Sequence, residues 1–298
     1  MDRSLLTTLT LSRAVVDRAA ERRADPAWLE QRLADPRSRL MRVSGGMARM
    51  RASGGALDLV APSGARSGEV VFLGVDADDV AYFSEHVVEQ DDALWQDLRT
   101  AGAELGDRDA GLMVTAVALD NWVRAHRRCP LCGEPTVPQS AGWSRRCPSD
   151  GSEHFPRTDP AVIVLVRDRD DRALLGRQGS WPEGRFSTLA GFVEAGESAE
   201  AAVRREVREE SGVLVSEDPH DLVYLGSQPW PFPCSLMLGY HAWTDSPQID
   251  VDGEEIAEAR WFTREELLAA IEAGSVRLPP QISISRRLIE RWYGAELP

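Results

Sequence analysis

The chain has 298 residues, room for about two domains and a small module with a sizeable core. Its 48 acidic and 34 basic side chains give a formal charge of −14, which excludes broad electrostatic binding to a nucleic-acid backbone or an anionic membrane but leaves recognition of one nucleotide end open. Lysine is absent, so every phosphate contact available to a basic side chain is an arginine fork. No stretch reaches the ~20 continuous apolar residues of a membrane span. The opening MDRSLLTTLTLSRAVVDRAAERR lacks the apolar core and small-residue cleavage site of a secretory leader, so a cytoplasmic location is expected.

Residues 1–126 read as a separate N-terminal domain of mixed type. DPAWLEQRLAD (25–35) opens with Asp25 as an N-cap and Pro26 in the first turn, which predicts a helix. ALDLV (56–60) and EVVFLGVD (69–76) read as strands, and APSGARSG between them as a turn-rich connection. The segment from Asp91 to about His126 predicts two helices broken near Gly106, with Leu112, Ala116, Leu119 and Val123 as a buried stripe. Trp95 and Trp122 are expected in the core. His86 and His126 stand alone in the sequence and read as ordinary surface or core histidines.

Residues 127–157 form a cysteine-rich module. Cys129 and Cys132 make a C-x2-C knuckle, and fourteen residues separate Cys132 from Cys147. Three thiols so close together in a reducing compartment point to a metal rather than to disulfides. A second knuckle would complete a zinc ribbon, but Asp150 stands where its last cysteine belongs. Zn²⁺ accepts a carboxylate or an imidazole, so Asp150 or His154 can close the tetrahedron. A module this small needs the metal for its fold, not for chemistry.

Residues 158–298 show a mixed α/β pattern. AVIVLVRD (161–168) is a continuous apolar run of the buried-strand type, DRDD (168–171) a turn, and RALLGRQ (172–178) its returning hairpin partner. GFVEAGESAEAAVRREVREESGV (191–213) follows. From Glu197 to Glu210 it holds only Ala, Glu, Arg, Val and Ser, which favours a helix closed by Gly212. Glu206, Glu209 and Glu210 then share one face at i, i+3 and i+4, and Ala202, Val203 and Val207 pack the other. Adjacent carboxylates repel one another, and hard oxygen donors of this kind select Mg²⁺ or Mn²⁺. Arg205 can reach Glu209 at i+4. Farther on, SQPWPFPCS (227–235) alternates three prolines with two aromatics, which predicts a pre-formed loop with flat faces for stacking a base or a nicotinamide ring. EEIAEARWFTREELLAAI supplies a strand and a helix, and the last helix carries Ile284, Leu288 and Trp292 on one face. The expected architecture is a mixed sheet flanked by helices.

Gly191, Glu197, Arg205-Glu206, Val207, Glu209-Glu210, Gly212 and Val213 fill every specified position of the Nudix box. With SQPWPFP downstream and a cysteine knuckle upstream, the chain resembles the NADH pyrophosphatases, the Nudix family that also removes NAD caps from RNA. The resemblance implies an N-terminal domain, a zinc ribbon, a Nudix fold and a homodimer whose active site borrows from the partner subunit. It implies divalent-metal roles for Glu206, Glu209, Glu210, Glu255 and the carbonyl of Ala190, with Arg205 among the catalytic group. It implies a substrate loop of Gln228, Pro229, Trp230, Pro231, Phe232, Pro233, Cys234 and Ser235, aromatics Phe192 and Phe155 around the nicotinamide, and a substrate contact near Ser285. Cys234 stands where the family has glutamine, Ser285 where it has alanine, and Asp150 where it has a zinc cysteine.

The expected reaction is hydrolysis of NAD(H) to NMN(H) and AMP, and of NAD-capped RNA 5′ ends to NMN and a 5′-monophosphate. Two other readings compete: a Nudix pyrophosphatase for ADP-ribose or ADP-sugars, against which the SQPWPFP loop weighs, and a non-catalytic nucleotide sensor or RNA-binding protein, against which the intact glutamates and the acidic charge weigh.

Overall fold

A computed structural model describes residues 4–7, 9–62, 66–88, 93–251 and 253–298. Contacts divide the chain into two compact units, one of Leu11–Thr158 with Trp230–Cys234, the other of Met1–Thr10, Asp159–Pro229 and Ser235–Pro298.

In the first unit, α1 (Pro26–Ala34) starts as its sequence predicts, with Asp25 Oδ1 accepting the Trp28 N–H at 3.0 Å. Strands β1 (Arg39–Ser44), β2 (Met47–Arg49), β3 (Glu69–Val75), β4 (Ala81–His86) and β5 (Trp95–Asp97) form a sheet in the order β3-β4-β1-β2-β5. The β1 and β4 pair is parallel and the other neighbours are antiparallel. The short α2 (Leu98–Ala101) and the long α3 (Asp107–Ala125) follow, with Gly106 as the N-cap of α3 and Leu112, Ala116, Leu119 and Val123 all buried. Trp122 is buried and Trp95 half-buried. The strand expected at 56–60 does not form. Leu57 and Val60 make only isolated bridges to Met50 and Leu40, because the Leu57 N–H is taken by the Asp109 carboxylate at 3.0 Å rather than by a ladder partner. His86 is not alone either: its Nδ1 lies 3.4 Å from Asp120 and its Nε2 3.2 Å from Ser84 Oγ. Residues 63–65 of the expected turn and residues 91–92 of the expected helical segment lie outside the described residues. The cysteine module forms a small sheet of β6 (Val137–Gln139), β7 (Ser144–Arg146) and β8 (Glu153–His154).

The second unit is built on β9 (Asp159–Arg167), which pairs antiparallel with β10 (Ala173–Gln178) and β11 (Leu189–Phe192) and parallel with β13 (Ser235–Trp243). Strands β12 (Leu222–Trp230) and β14 (Ile256–Phe262) form the two edges. The apolar run in β9 is continuous because both its faces are covered. Val162, Val164 and Val166 pack with Ala202, Val203 and Val207 of α4 (Ala199–Ser211). Ile163 and Leu165 pack with Leu267 of α5 (Arg264–Glu272) and with Ile284, Leu288 and Trp292 of α6 (Ile284–Tyr293). This is the mixed sheet flanked by helices. The phrase 227–235 is a loop only in part: residues up to Trp230 belong to β12, and Ser235 already starts β13. Pro229 is tolerated there because β12 is an edge strand, where a missing N–H breaks no ladder. No helix among the described residues is long and apolar enough to cross a membrane.

Candidate active site and metal cluster

The Nudix-box helix α4 is set by its two ends. Ser198 caps it by accepting the Ala201 N–H at 3.2 Å, and Gly212 stops it at φ 71°, a left-handed value that a residue with a Cβ adopts at a cost. The apolar side of α4 is fixed on β9, so its carboxylates face β11. Glu206 lies against the backbone of Gly191, and Glu210, buried, accepts the Ala190 N–H at 3.1 Å.

Arg205 organises this row. Its Nε and Nη2 grip both oxygens of Glu197 at 2.9 and 2.8 Å, its Nη1 reaches Glu206 at 2.7 Å and Glu209 at 3.0 Å, and Nη2 also donates to the Phe192 carbonyl at 2.9 Å. The expected link to Glu209 is therefore one of five, and the bidentate partner is Glu197. The signal for it lies in the box itself, whose Glu197 precedes the helix by a fixed interval, although helical periodicity does not extend that far. The electrostatics follow from the contacts. The Arg205 fork and the Glu194 N–H hold the Glu197 carboxyl down at about 2. Arg205 itself is raised, chiefly by Glu197. Glu206 moves the other way: burial pushes its pKa up, Arg205 opposes, and the negative charges of Glu209 and Glu255 add to the rise. Glu255 is exposed at the entry to β14.

A hard divalent cation fits this donor set. Burial makes an ionised Glu206 costly despite Arg205, with the charges of Glu209 and Glu255 adding to that cost; a cation offsets it, and carboxylate oxygens are the ligands such cations take.

In the first unit, Cys129, Cys132, Cys147 and Asp150 bring their ligand atoms within 4.8 Å of one another, the one group of three or more among the described residues to converge so tightly. Cys132 Sγ and Cys147 Sγ are 3.4 Å apart, and Cys129 Sγ is 3.2 Å from Asp150 Oδ2. Four ligands about 2.0–2.3 Å from one centre, as tetrahedral zinc requires, have such separations. Of the two candidate fourth ligands it is Asp150 that converges, while His154 Nε2 lies 3.0 Å from Ser152 Oγ. Burial pushes the Cys129 thiol up, but hydrogen bonds from Ser152 and from the N–H groups of Cys132 and Leu131 bring it down to about 7, toward the thiolate that binds metal.

The remaining candidates are distributed. Phe155 and Phe192 are exposed, 64% and 57%. Trp230 and Phe232 meet edge to face at 4.9 Å, and the Arg99 guanidinium lies 3.9 Å from the Phe232 ring centre and 5.1 Å from that of Trp230. Asn121 donates to the Pro231 and Pro233 carbonyls at 2.9 and 3.3 Å. The turn is thus pre-formed, as its prolines predict, but part of its aromatic surface is already covered. Arg99 and Asn121 are supports that no local motif signals. Pro229, Cys234 and Ser235 are half-buried and Pro233 is exposed. Gln228 and Ser285 are buried: Gln228 Nε2 donates to the Ile282 carbonyl at 2.9 Å, and Ser285 Oγ accepts from the Thr188 N–H at 3.2 Å and hydroxyl at 2.8 Å.

Comparison with known proteins bears on the whole arrangement. Residues 157–281 match the NUDIX domain, residues 124–155 the NADH pyrophosphatase zinc ribbon domain, and residues 19–122 the NADH pyrophosphatase-like rudimentary NUDIX domain. The NAD-capped RNA hydrolase NudC of Mycobacterium bovis is 52% identical over 209 residues, covering 67% of this chain and 66% of its own length. The NAD-capped RNA hydrolase NUDT12 of Homo sapiens is 42% identical over 201 residues, covering 63% of this chain and 43% of its own. The chain therefore spans just under two thirds of the first relative and under half of the second. A solved NUDIX hydrolase from Nitrosomonas europaea aligns with a TM-score of 0.44 at 19% identity, over 57% of this chain and 95% of that one. The rudimentary NUDIX match gives the N-terminal sheet an ancestry that its sequence pattern does not reveal. With the rudimentary NUDIX domain, the ribbon and the NUDIX domain matched in succession and the box complete on α4, the chain belongs to the Nudix hydrolases of the NADH pyrophosphatase group.

Proposed function

We propose that this chain hydrolyses the pyrophosphate of NAD(H) to NMN(H) and AMP, and removes the NAD cap of RNA 5′ ends to leave a 5′-monophosphate. The observation that carries the reading is the α4 carboxylate row locked to β11 by Arg205, in a chain 52% identical to an NAD-capped RNA hydrolase. In this reading Glu206, Glu209, Glu210 and Glu255, with the Ala190 carbonyl, hold Mg²⁺ or Mn²⁺. Such an ion, when bound, neutralises the pyrophosphate and lowers the pKa of the attacking water. Arg205 has all its donors engaged, so it positions Glu206 and Glu209 rather than gripping phosphate. Glu209 is tethered to Arg205 through one oxygen and its side chain is 51% exposed, which suits it to take the water proton.

Exposed Phe192 and Phe155 stack on the nicotinamide, one from each subunit of a homodimer. The 228–235 segment shapes the entrance, with buried Gln228 and Ser285 holding its base. Zinc on Cys129, Cys132, Cys147 and Asp150 stabilises residues 127–157, between an N-terminal domain of 1–126 and a catalytic domain of 158–298. The free thiols of that module favour the reducing cytoplasm. Product analysis after incubation with NADH and Mg²⁺ or Mn²⁺ tests the reading. NMNH and AMP are expected; intact NADH alongside cleaved ADP-ribose would replace it with the ADP-ribose alternative.

A further inference from the structure

We infer that the catalytic unit carries an anion site apart from its carboxylate row, a cavity on the α6 side of the sheet that takes a phosphate group, either as free orthophosphate or as a phosphate monoester. The cavity measures about 240 Å³ and is lined by Arg167, Arg264 and Arg291, with Trp243, Trp292 and His241 among its walls. The arginines come from three elements, the end of β9, the start of α5 and the last turn of α6. No carboxylate is among the lining residues described, in a chain whose acidic side chains outnumber its basic ones by 48 to 34. Asp171, which is not among those lining residues, pairs with both Arg167 and Arg264, the second at 2.7 Å, so one negative charge is shared by two positive ones.

The guanidiniums are held before any ligand arrives. Arg264 donates to the Trp292 carbonyl at 3.2 and 2.8 Å and stands 4.9 Å from that indole. Arg167 stands 4.8 Å from the Trp243 ring, and Arg291 donates to Ser4 Oγ at 2.9 Å. Side chains already fixed lose little entropy when an anion binds, and arginine forks match the spacing of phosphate oxygens. His241 adds no charge: its Nε2 is 3.0 Å from the Leu288 carbonyl, and burial keeps the ring neutral, its pKa pushed down to about 4.

The position is that of a ligand crevice. Arg167 and Trp243 are register partners at the carboxyl ends of the parallel strands β9 and β13, the end of such strands where α/β folds bind ligands. It is also separate from the box. Along β9 the even-numbered valines face α4, whereas Ile163 and Leu165, of Arg167's parity, face α5 and α6. The volume is below the roughly 300–1,000 Å³ of ordinary ligand pockets, which suits a phosphate and excludes a whole dinucleotide. The products of the proposed hydrolysis are phosphate monoesters, and this link to product binding, unlike the site itself, rests on that reading.

Calorimetric titration of the full chain, free of divalent cations, with orthophosphate and with AMP tests the inference. One orthophosphate per chain is expected in the wild type and in Glu209→Gln, weakened at least about ten-fold in both Arg264→Gln and Arg291→Gln. Tighter AMP than orthophosphate assigns the site to a monoester, and equal affinities assign it to the free ion. No binding by the wild type, unchanged binding in both arginine variants with native circular dichroism, or loss in Glu209→Gln would overturn it. Should Arg264→Gln fold poorly, Arg291→Gln decides alone. Orthophosphate binding by wild-type protein that leaves NADH intact when Mg²⁺ or Mn²⁺ is supplied would refute the proposed reaction and leave this site standing.

Discussion

Gly191 and Glu206 are so close that a Cβ built on the glycine would stand 1.9 Å from Glu206 Cδ and 2.0 and 2.2 Å from its oxygens. The box glycine is therefore there for room: β11 and α4 can bring a carboxylate onto the strand backbone only where no side chain intervenes. Gly191→Ala is expected to push Glu206 aside and lower NADH turnover by about 10²-fold, the effect of roughly 1 Å of misplacement. Steady-state kinetics beside a thermal melt checks this, and wild-type turnover in a folded Ala variant would show that Glu206 needs no fixed position.

Glu206 also sets a pH dependence. Its raised pKa, due first to burial and then to Glu209 and Glu255, means that the native state holds its proton more tightly than the unfolded chain does. That contribution favours folding below the ordinary carboxylate range and is lost as pH rises through the raised value. At neutral pH without divalent cations the ionised Glu206 therefore opposes folding. Glu206→Gln should melt above the wild type at pH 7 in chelator, with a gap that closes as pH falls, while its turnover and that of Glu209→Gln drop at least ~10²-fold. A lower melting temperature for Glu206→Gln at pH 7 would contradict the electrostatic account.

Protein purified without added metal should contain about one zinc per chain, held by three thiolates and Asp150. Asp150→Ala should lose zinc to a chelator faster than the wild type, and Asp150→Cys more slowly. Elemental analysis decides the first point; a ratio near zero in folded, active protein would remove zinc from the ribbon.

Phe155→Ala is expected to weaken NADH hydrolysis about ten-fold or more, given on the order of 1 kcal/mol per aromatic contact. ADP-ribose, which lacks the nicotinamide, should be nearly indifferent to the change. If one homodimer site takes its phenylalanine from one chain and its glutamates from the other, mixing Phe155→Ala with Glu209→Gln restores part of the activity. Equal losses on both substrates, or no rescue after verified subunit exchange, would make Phe155 a packing residue.

The Nudix-box helix α4 is legible in the sequence, because its start, its stop and its two faces are all local. The β9–β10 hairpin, the final helix and the pairing of Asp25 with Pro26 were equally local. What the sequence does not show depends on distant partners. Residues 56–60 have strand composition, yet Asp109, over fifty residues away in sequence, takes the Leu57 N–H. The partners of His86 lie on its own strand and on α3, and the bidentate hold of Arg205 on Glu197 spans a turn outside the helix. The aromatics at 230 and 232 carry the right chemistry, but only the fold shows Arg99 beside both rings.

The two-sided burial of β9 restricts how this protein can change over evolutionary time. Val162, Val164 and Val166 belong to one core and Ile163 and Leu165 to the other. Substitutions within either set disturb one core at a time and leave the other to hold the strand. Inserting or deleting a single residue near the middle of β9 would exchange the two sets downstream, offering each helix layer side chains shaped for the opposite one. Length variation among descendants of this chain should therefore collect in its turns, while β9 drifts only by replacement.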